Sequence, residues 1–295
     1  MPDRAPIDRR AARRAYSRAA TTYARAAVLA REVERRMLER LDYVRLAPRY
    51  ILDAGCGPGE AAIQLAGRYP DAELVELDFA YPMLNSARRR ASWLRRVFSR
   101  RRSQCVCADF AALPVKRGSF GLVWSNLALH CADDPLPAFK EIERVLEVGG
   151  LLMFSCYGPD TLKELRSAFD ADRGVPHVQE FTDMHDLGDM LLASGFAEPV
   201  MDMEVITLTY SDTDRLLADL RSSGQVNALA ARRRGLTGKG VFGAMRAAYE
   251  ALRQEGALPA SFEIIYGHAW KVAPRFAGDG RAIVKLNFPY ARRGT

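Results

Sequence analysis

No run of this 295-residue chain is wholly apolar over the roughly 20 residues that a membrane-spanning helix requires, so no membrane span is expected. No charged, apolar and small-residue pattern opens it, so a secretory leader is not expected either. Cysteine is scarce. The five present (Cys56, Cys105, Cys107, Cys131, Cys156) are odd in number, lie in or beside predicted strands and include no C-x-x-C pair. That usage excludes a disulfide framework and fits a reducing, cytoplasmic compartment. Cys105 and Cys107 share one face of a strand, where small apolar filler is expected rather than metal ligands. The four histidines (His130, His177, His185, His268) have no zinc-ligand spacing, so no metal is expected. There is no zinc finger, no aromatic-interleaved recognition module and no internal repeat, and nucleic acid is not expected as a partner.

Charge is plentiful and uneven. Residues 1–50 hold 13 arginines against six acids, a surplus (13 − 6) equal to the formal net charge of +7 for the whole chain. Arg88 to Arg102 add eight arginines and no acid. Such runs are usually solvated helix faces, and two of them make a docking field for an acidic partner. An arginine-rich start also matches a mitochondrial transit composition, but the helical periodicity continues to about Leu41 and predicts a structural element. The length suits one large domain with insertions, or one domain and a cap.

The chain is organised around Tyr50 to Glu60 (Y-I-L-D-A-G-C-G-P-G-E), an apolar strand running into a glycine-rich turn. The spacing of Gly55, Gly57 and Gly59 is G-x-G-x-G behind Asp53, unlike the G-x-G-x-x-G of a pyrophosphate-binding turn. It resembles the first motif of class I S-adenosylmethionine-dependent methyltransferases. That resemblance implies Asp53 near the methionine amino group and the Gly55 to Gly59 backbone against the methionine moiety. Three further strand ends carry polar groups. Glu73 to Asp78 closes on Asp78, nineteen residues after Gly59, where a carboxylate can accept both ribose hydroxyls. Gln104 to Ala108 leads into Asp109 and Phe110, a carboxylate for the adenine amino group and a ring to stack on it; a helix cap and a core ring are the plainer alternatives. Phe120 to Ser125 ends at Asn126. Carboxyl ends of strands are where open α/β sheets bind ligands.

Strand and helix signals alternate from about 49 to 156, which predicts an α/β fold: a doubly wound, mostly parallel sheet of Rossmann-like, class I methyltransferase type. Gly149-Gly150 is expected to stop the helix over 134–146. Before the sheet, residues 1–45 form an N-terminal helical segment, one or two helices broken near Thr21-Thr22. On it, Tyr16 and Tyr23 share a face that either contacts the cofactor or packs on the core. After Ser155 come helices over 161–170 and to about Ser194, the latter capped by Thr182 or Asp183, and then a strand over 205–210. The mostly helical stretch 213–255 precedes a last strand over 262–272. The expected divisions are a methyltransferase domain, 46–210 with 259–295, and a helical lid, 211–258, inserted before the last strand.

Several of these segments resemble one family. Y-G-P-D-T-L-K-E-L-R from Tyr157, F-T-D-M-H-D-L-G-D from Phe181, M-D-M-E-V-I-T-L-T-Y from Met201 and the N-terminal A-Y-S-R-A-A-T-T-Y are similar to the malonyl-acyl-carrier-protein O-methyltransferases of biotin synthesis. The resemblance covers nearly the whole chain. It implies S-adenosylmethionine as methyl donor, no metal, and as acceptor the free carboxylate of a malonyl group on acyl carrier protein. An ionised carboxylate needs no general base, and N-L-A-L-H stands where amine methylators carry N-P-P-Y. Arginine is the natural partner for the carboxylate, and Arg232, in the break of the lid, is the candidate; Arg166 and His185 are weaker ones. A family of respiratory complex I assembly factors resembles the same core and lid, and a small-metabolite or RNA methyltransferase is the other alternative.

Overall fold

The computed structural model describes residues 6–98, 103–169, 172 and 174–273. The end of the second arginine run and the expected continuation of the domain over 274–295 lie outside these residues. Three helices come first: α1 (Arg9–Ala19), a single turn α2 (Tyr23–Ala26) and α3 (Val28–Leu41). Asp8 caps α1 by accepting from Ala11 N, as an aspartate at that position does. The break near Thr21-Thr22 is therefore present, and Ala27 adds a second one before α3.

The alternating section follows as β1 (Tyr50–Ala54), α4 (Ala61–Arg68), β2 (Glu73–Asp78), α5 (Tyr81–Phe98) and β3 (Ser103–Cys107). It continues as β4 (Phe120–Ser125), α6 (Pro135–Val145) and β5 (Leu146–Tyr157), then α7 (Lys163–Ala168), α8 (Met184–Ala193) and β6 (Phe196–Tyr210). Between β6 and β7 (Leu258–Lys271) stand α9 (Thr213–Ser222) and α10 (Lys239–Glu250). The strands form one seven-stranded sheet in the order β3-β2-β1-β4-β5-β7-β6. β3, β2, β1, β4 and β5 pair in parallel, and β7 is antiparallel to both of its neighbours. No helix among the described residues is long and apolar enough to cross a membrane.

Both sheet faces are covered, as parallel strands require. On one face Ile51, Leu74, Leu122 and Leu151 join Leu29, Val33, Met37 and Leu41 of α3 in a single core. On the other, Leu52, Leu77, Val123 and Leu152 meet Phe139 and Ile142 of α6 and Leu187 and Leu191 of α8.

Several element bounds differ from the sequence expectation: the last strand begins at Leu258 rather than 262, the helix expected over 161–170 is Lys163–Ala168, and three further differences concern β5, β6 and the 211–258 stretch. Gly149-Gly150 does not stop α6; the helix ends at Val145 and the pair lies in a bulge of β5, where Phe120 faces Leu146 but Leu122 faces Leu151. β6 starts at Phe196 rather than 205, because pairing with β7 carries it past Pro199 through a register shift between Ala197 and Val200. The 211–258 stretch expected as a helical lid is less helical than its composition suggests, with 223–238 irregular between α9 and α10.

Candidate active site

The four polar strand ends lie side by side at the carboxyl edge, since β3, β2, β1 and β4 are neighbours in the sheet. Their side chains are placed differently. Asp53 is buried, and its Oδ2 has no hydrogen-bond partner. Asp78, also buried, accepts from Gly57 N at 3.0 Å and Ala80 N at 2.7 Å. Burial pushes its carboxyl up to about 6 against those hydrogen bonds. Asp109 pairs with Arg9 and accepts from Ala111 N at 3.0 Å. Phe110 is buried with its ring against Gly55. Asn126 links α3 to β5, donating to Ala30 O and accepting from Ser155 Oγ, both at 2.9 Å.

The turn itself shows why glycine is required. Gly55 has φ +86°, and a side chain there would strike Ala128 and press on Phe110. Gly57 has φ +54° but faces open space, with Tyr23 the nearest group. Gly59 is demanded by contact rather than by a ligand: a Cβ would meet Glu76 and Ala87. Glu76, buried two residues inside the end of β2, accepts from Ser103 Oγ, and among the described residues its Oε1 has no partner. A shallow backbone recess at Gly57, an unpartnered carboxylate at Asp53 and a second acid at Asp78 suit a ligand with a cationic amino-acid end and a ribose.

Next to this edge is a cavity of about 470 Å³, in the size range of small-molecule sites. The two tyrosines divide between the two places: Tyr23 lies over the glycine turn, and Tyr16 lines the cavity. Tyr16 Oη sits 3.4 Å from His130 Nε2 and accepts from Cys131 Sγ at 3.5 Å. His130 packs against Tyr157 and Phe181, with ring centroids 4.6 and 5.8 Å away. Gln225 Nε2 donates to Tyr157 Oη at 2.6 Å, and Gln179 Nε2 to the His130 carbonyl at 2.9 Å.

The α9–α10 connection supplies the far wall. Arg232 lines the cavity, donating to Leu229 O at 2.7 Å and to Asp8 Oδ2 at 3.0 Å. Arg233 reaches Asp172, which also pairs with His177, and His177 stacks on Phe169. The weaker candidates stand elsewhere. Arg166 bonds Thr161 O and is not in the cavity wall, and His185 is exposed beside its capping Asp183. Asp8, Tyr157, Gln179 and Gln225 were not singled out from sequence; each reaches the cavity through a fold contact that leaves no local pattern.

Residues 52–154 match the methyltransferase domain family. The malonyl-[acyl-carrier protein] O-methyltransferase of Gallionella capsiferriformans is 51% identical over 282 residues, covering 96% of this chain and 97% of that protein. The chain belongs to the malonyl-[acyl-carrier protein] O-methyltransferase family. Solved structures agree on the fold. The YcgJ protein of Bacillus subtilis aligns with TM-score 0.55 at 20% identity, over 80% of this chain and 98% of that one. A Haemonchus contortus phosphoethanolamine N-methyltransferase, solved with S-adenosylhomocysteine, aligns with TM-score 0.51 at 19% identity, over 81% of this chain and 52% of that one.

Proposed function

We propose that this chain transfers the methyl group of S-adenosylmethionine to the free carboxylate of a malonyl thioester, carried by acyl carrier protein or coenzyme A, giving the methyl ester that enters biotin synthesis in the cytoplasm. The observation that carries this is the charge of the cavity: among the described residues its wall includes Arg221, Arg232 and Arg233 and no aspartate or glutamate, with Asp8 and Asp172 meeting Arg232 and Arg233 from behind the wall. An anionic acceptor is favoured there.

Four titratable groups in the wall, His130, Cys131, Tyr16 and Tyr157, support an acceptor that brings no proton to remove. Burial holds His130 neutral down to about 3 and pushes Cys131 up to about 12. It also moves Tyr16 and Tyr157 well above the ordinary tyrosine range. None of these four exchanges a proton near neutrality. A carboxylate is already ionised at pH 7, so its oxygen can attack the sulfonium methyl without a base. The protein's part is then to hold oxygen, methyl carbon and sulfur in line in a dry pocket. Arg232, with two of its five N–H groups engaged by Leu229 and Asp8, retains donors for the acceptor carboxylate.

Exposed Arg10, Arg13 and Arg14 flank Ala12 and Tyr16, which belong to the cavity wall, so α1 offers a basic face for an acidic carrier. Incubation with labelled S-adenosylmethionine and malonyl carrier should yield a base-labile methyl ester. Absence of transfer to malonyl thioester at every salt concentration would sink the proposal.

A further inference from the structure

Four side chains form a row across one face of the sheet: Cys105, Glu76, Asp53 and Trp124 are successive register partners on β3, β2, β1 and β4. Three of them carry buried polar atoms without a hydrogen-bond partner, Glu76 Oε1, Asp53 Oδ2 and Trp124 Nε1. Buried polar groups are nearly always paired; the two carboxylate oxygens are acceptors that a cationic donor would complete, whereas the Trp124 N–H is itself a donor. The face is the one covered by α3, and α3 turns a carboxylate toward it. Glu34 is 8% exposed, and among the described residues no hydrogen bond or ion pair is made to its side chain.

Two acids, a tyrosine and two arginines face Glu34. They are Glu60 ahead of α4 and Asp53 on β1, with Tyr23 of α2, Arg31 of α3 and Arg90 of α5. Both arginines point at Glu60, at 3.7 and 3.6 Å. Beside a glycine turn whose ligand, on the function proposed above, ends in an ammonium group, neither Glu34 nor Asp53 has a cation in contact among the described residues; Arg31 and Arg90 act on Glu34 only from a distance. A buried carboxylate is stable as an anion only when paired.

We propose that Glu34 is a second carboxylate for the ammonium end of the methyl donor, acting with Asp53 across the recess between α3 and β1. This rests on the donor being S-adenosylmethionine. Burial pushes the Glu34 carboxyl up to about 7, with Glu60 adding to it. Donor binding therefore favours the ionised form and expels a proton below neutrality.

Calorimetric titration with S-adenosylhomocysteine between pH 6 and 8 tests this. Wild-type affinity should fall toward acid, and two buffers of different ionisation enthalpy should report proton release. Glu34→Gln should bind about tenfold more weakly at pH 8, the loss of one charge-assisted contact, with a flattened pH dependence. Methylthioadenosine, which lacks the amino-acid end, should bind wild type and variant alike. Equal weakening of both ligands, or unchanged S-adenosylhomocysteine binding, would overturn the inference. Failure of the wild type to bind S-adenosylhomocysteine would instead overturn the proposed function. Glu34→Ala, read the same way, guards against an effect peculiar to glutamine.

Discussion

Arg232 and Asp8, 224 residues apart, meet at 3.0 Å and join the α9–α10 connection to the start of α1. The same seam carries two backbone bonds, Asp8 N to Ala228 O and Ala230 N to Pro6 O, both 2.7 Å. The N-terminal segment thus closes one side of the arginine-bearing cavity, and Asp8 occupies part of the guanidinium that an acceptor carboxylate would use.

Replacing Arg232 with alanine should weaken use of the acceptor by about 2–5 kcal/mol in kcat/KM and leave S-adenosylhomocysteine affinity unchanged. Asp8→Asn separates the two roles of Asp8, because asparagine caps a helix as well as aspartate does. With Leu229 O still holding Arg232, the variant should lower the acceptor KM a few-fold by removing a competing charge. A raised KM would mean that Asp8 orients Arg232 rather than competing for it. Steady-state kinetics with malonyl thioester distinguishes these outcomes.

Gly55 and Gly57 should fail in different ways. Gly55→Ala adds left-handed strain to a clash with Ala128, and the loss of stability should be roughly 2–4 kcal/mol. Gly57→Ala carries the strain alone, about 1–2 kcal/mol, but places a methyl group in the recess beneath Tyr23. Its larger effect should be on S-adenosylhomocysteine binding. Thermal unfolding and ligand titration of both variants check the contrast; equal effects would remove the distinction between a packing glycine and a ligand-facing one.

His130 has a folded value of about 3 against an ordinary 6.5, because burial disfavours its charged form. The unfolded chain therefore takes up a proton below pH 6.5 that the folded chain refuses. The stability associated with this residue is complete above pH 6.5 and is lost as pH falls toward 3, by at most about 1.4 kcal/mol per pH unit. Asp78 and Glu34, raised to about 6 and about 7, work in the opposite sense over part of that range. The difference between wild type and His130→Gln isolates the histidine: in denaturant titrations it should be constant above pH 6.5 and shift against the wild type as pH falls below it. A difference independent of pH would mean that packing alone is involved.

Much of the sheet could be read from local pattern. An apolar strand, a turn with forced glycines and a helix recur at short range, so β1 through β5 and the line of Asp53, Asp78, Asp109 and Asn126 follow from residues near one another in the chain. Where long-range pairing sets the ends, sequence was less informative: β6 is extended to Phe196 by β7, and Gly149 belongs to a bulge opposite β4. The identity of Asp78 as a strand-closing acid was visible, whereas its hydrogen bonds to Gly57 and Ala80 required the turn to fold back on it.

The sequence by itself determined the family, the glycine turn and the presence of an arginine in the lid, because each is a property of contiguous residues. Only tertiary structure decided that Tyr16 faces the cavity while Tyr23 faces the turn, that Asp8 meets Arg232, and that Glu34 is buried near Asp53 without a cation in contact. These are relations between surfaces brought together by packing α1, α3 and the α9–α10 connection onto one sheet edge. Helical periodicity states which residues share a face, but the neighbour that face meets is set by the closing of the whole core.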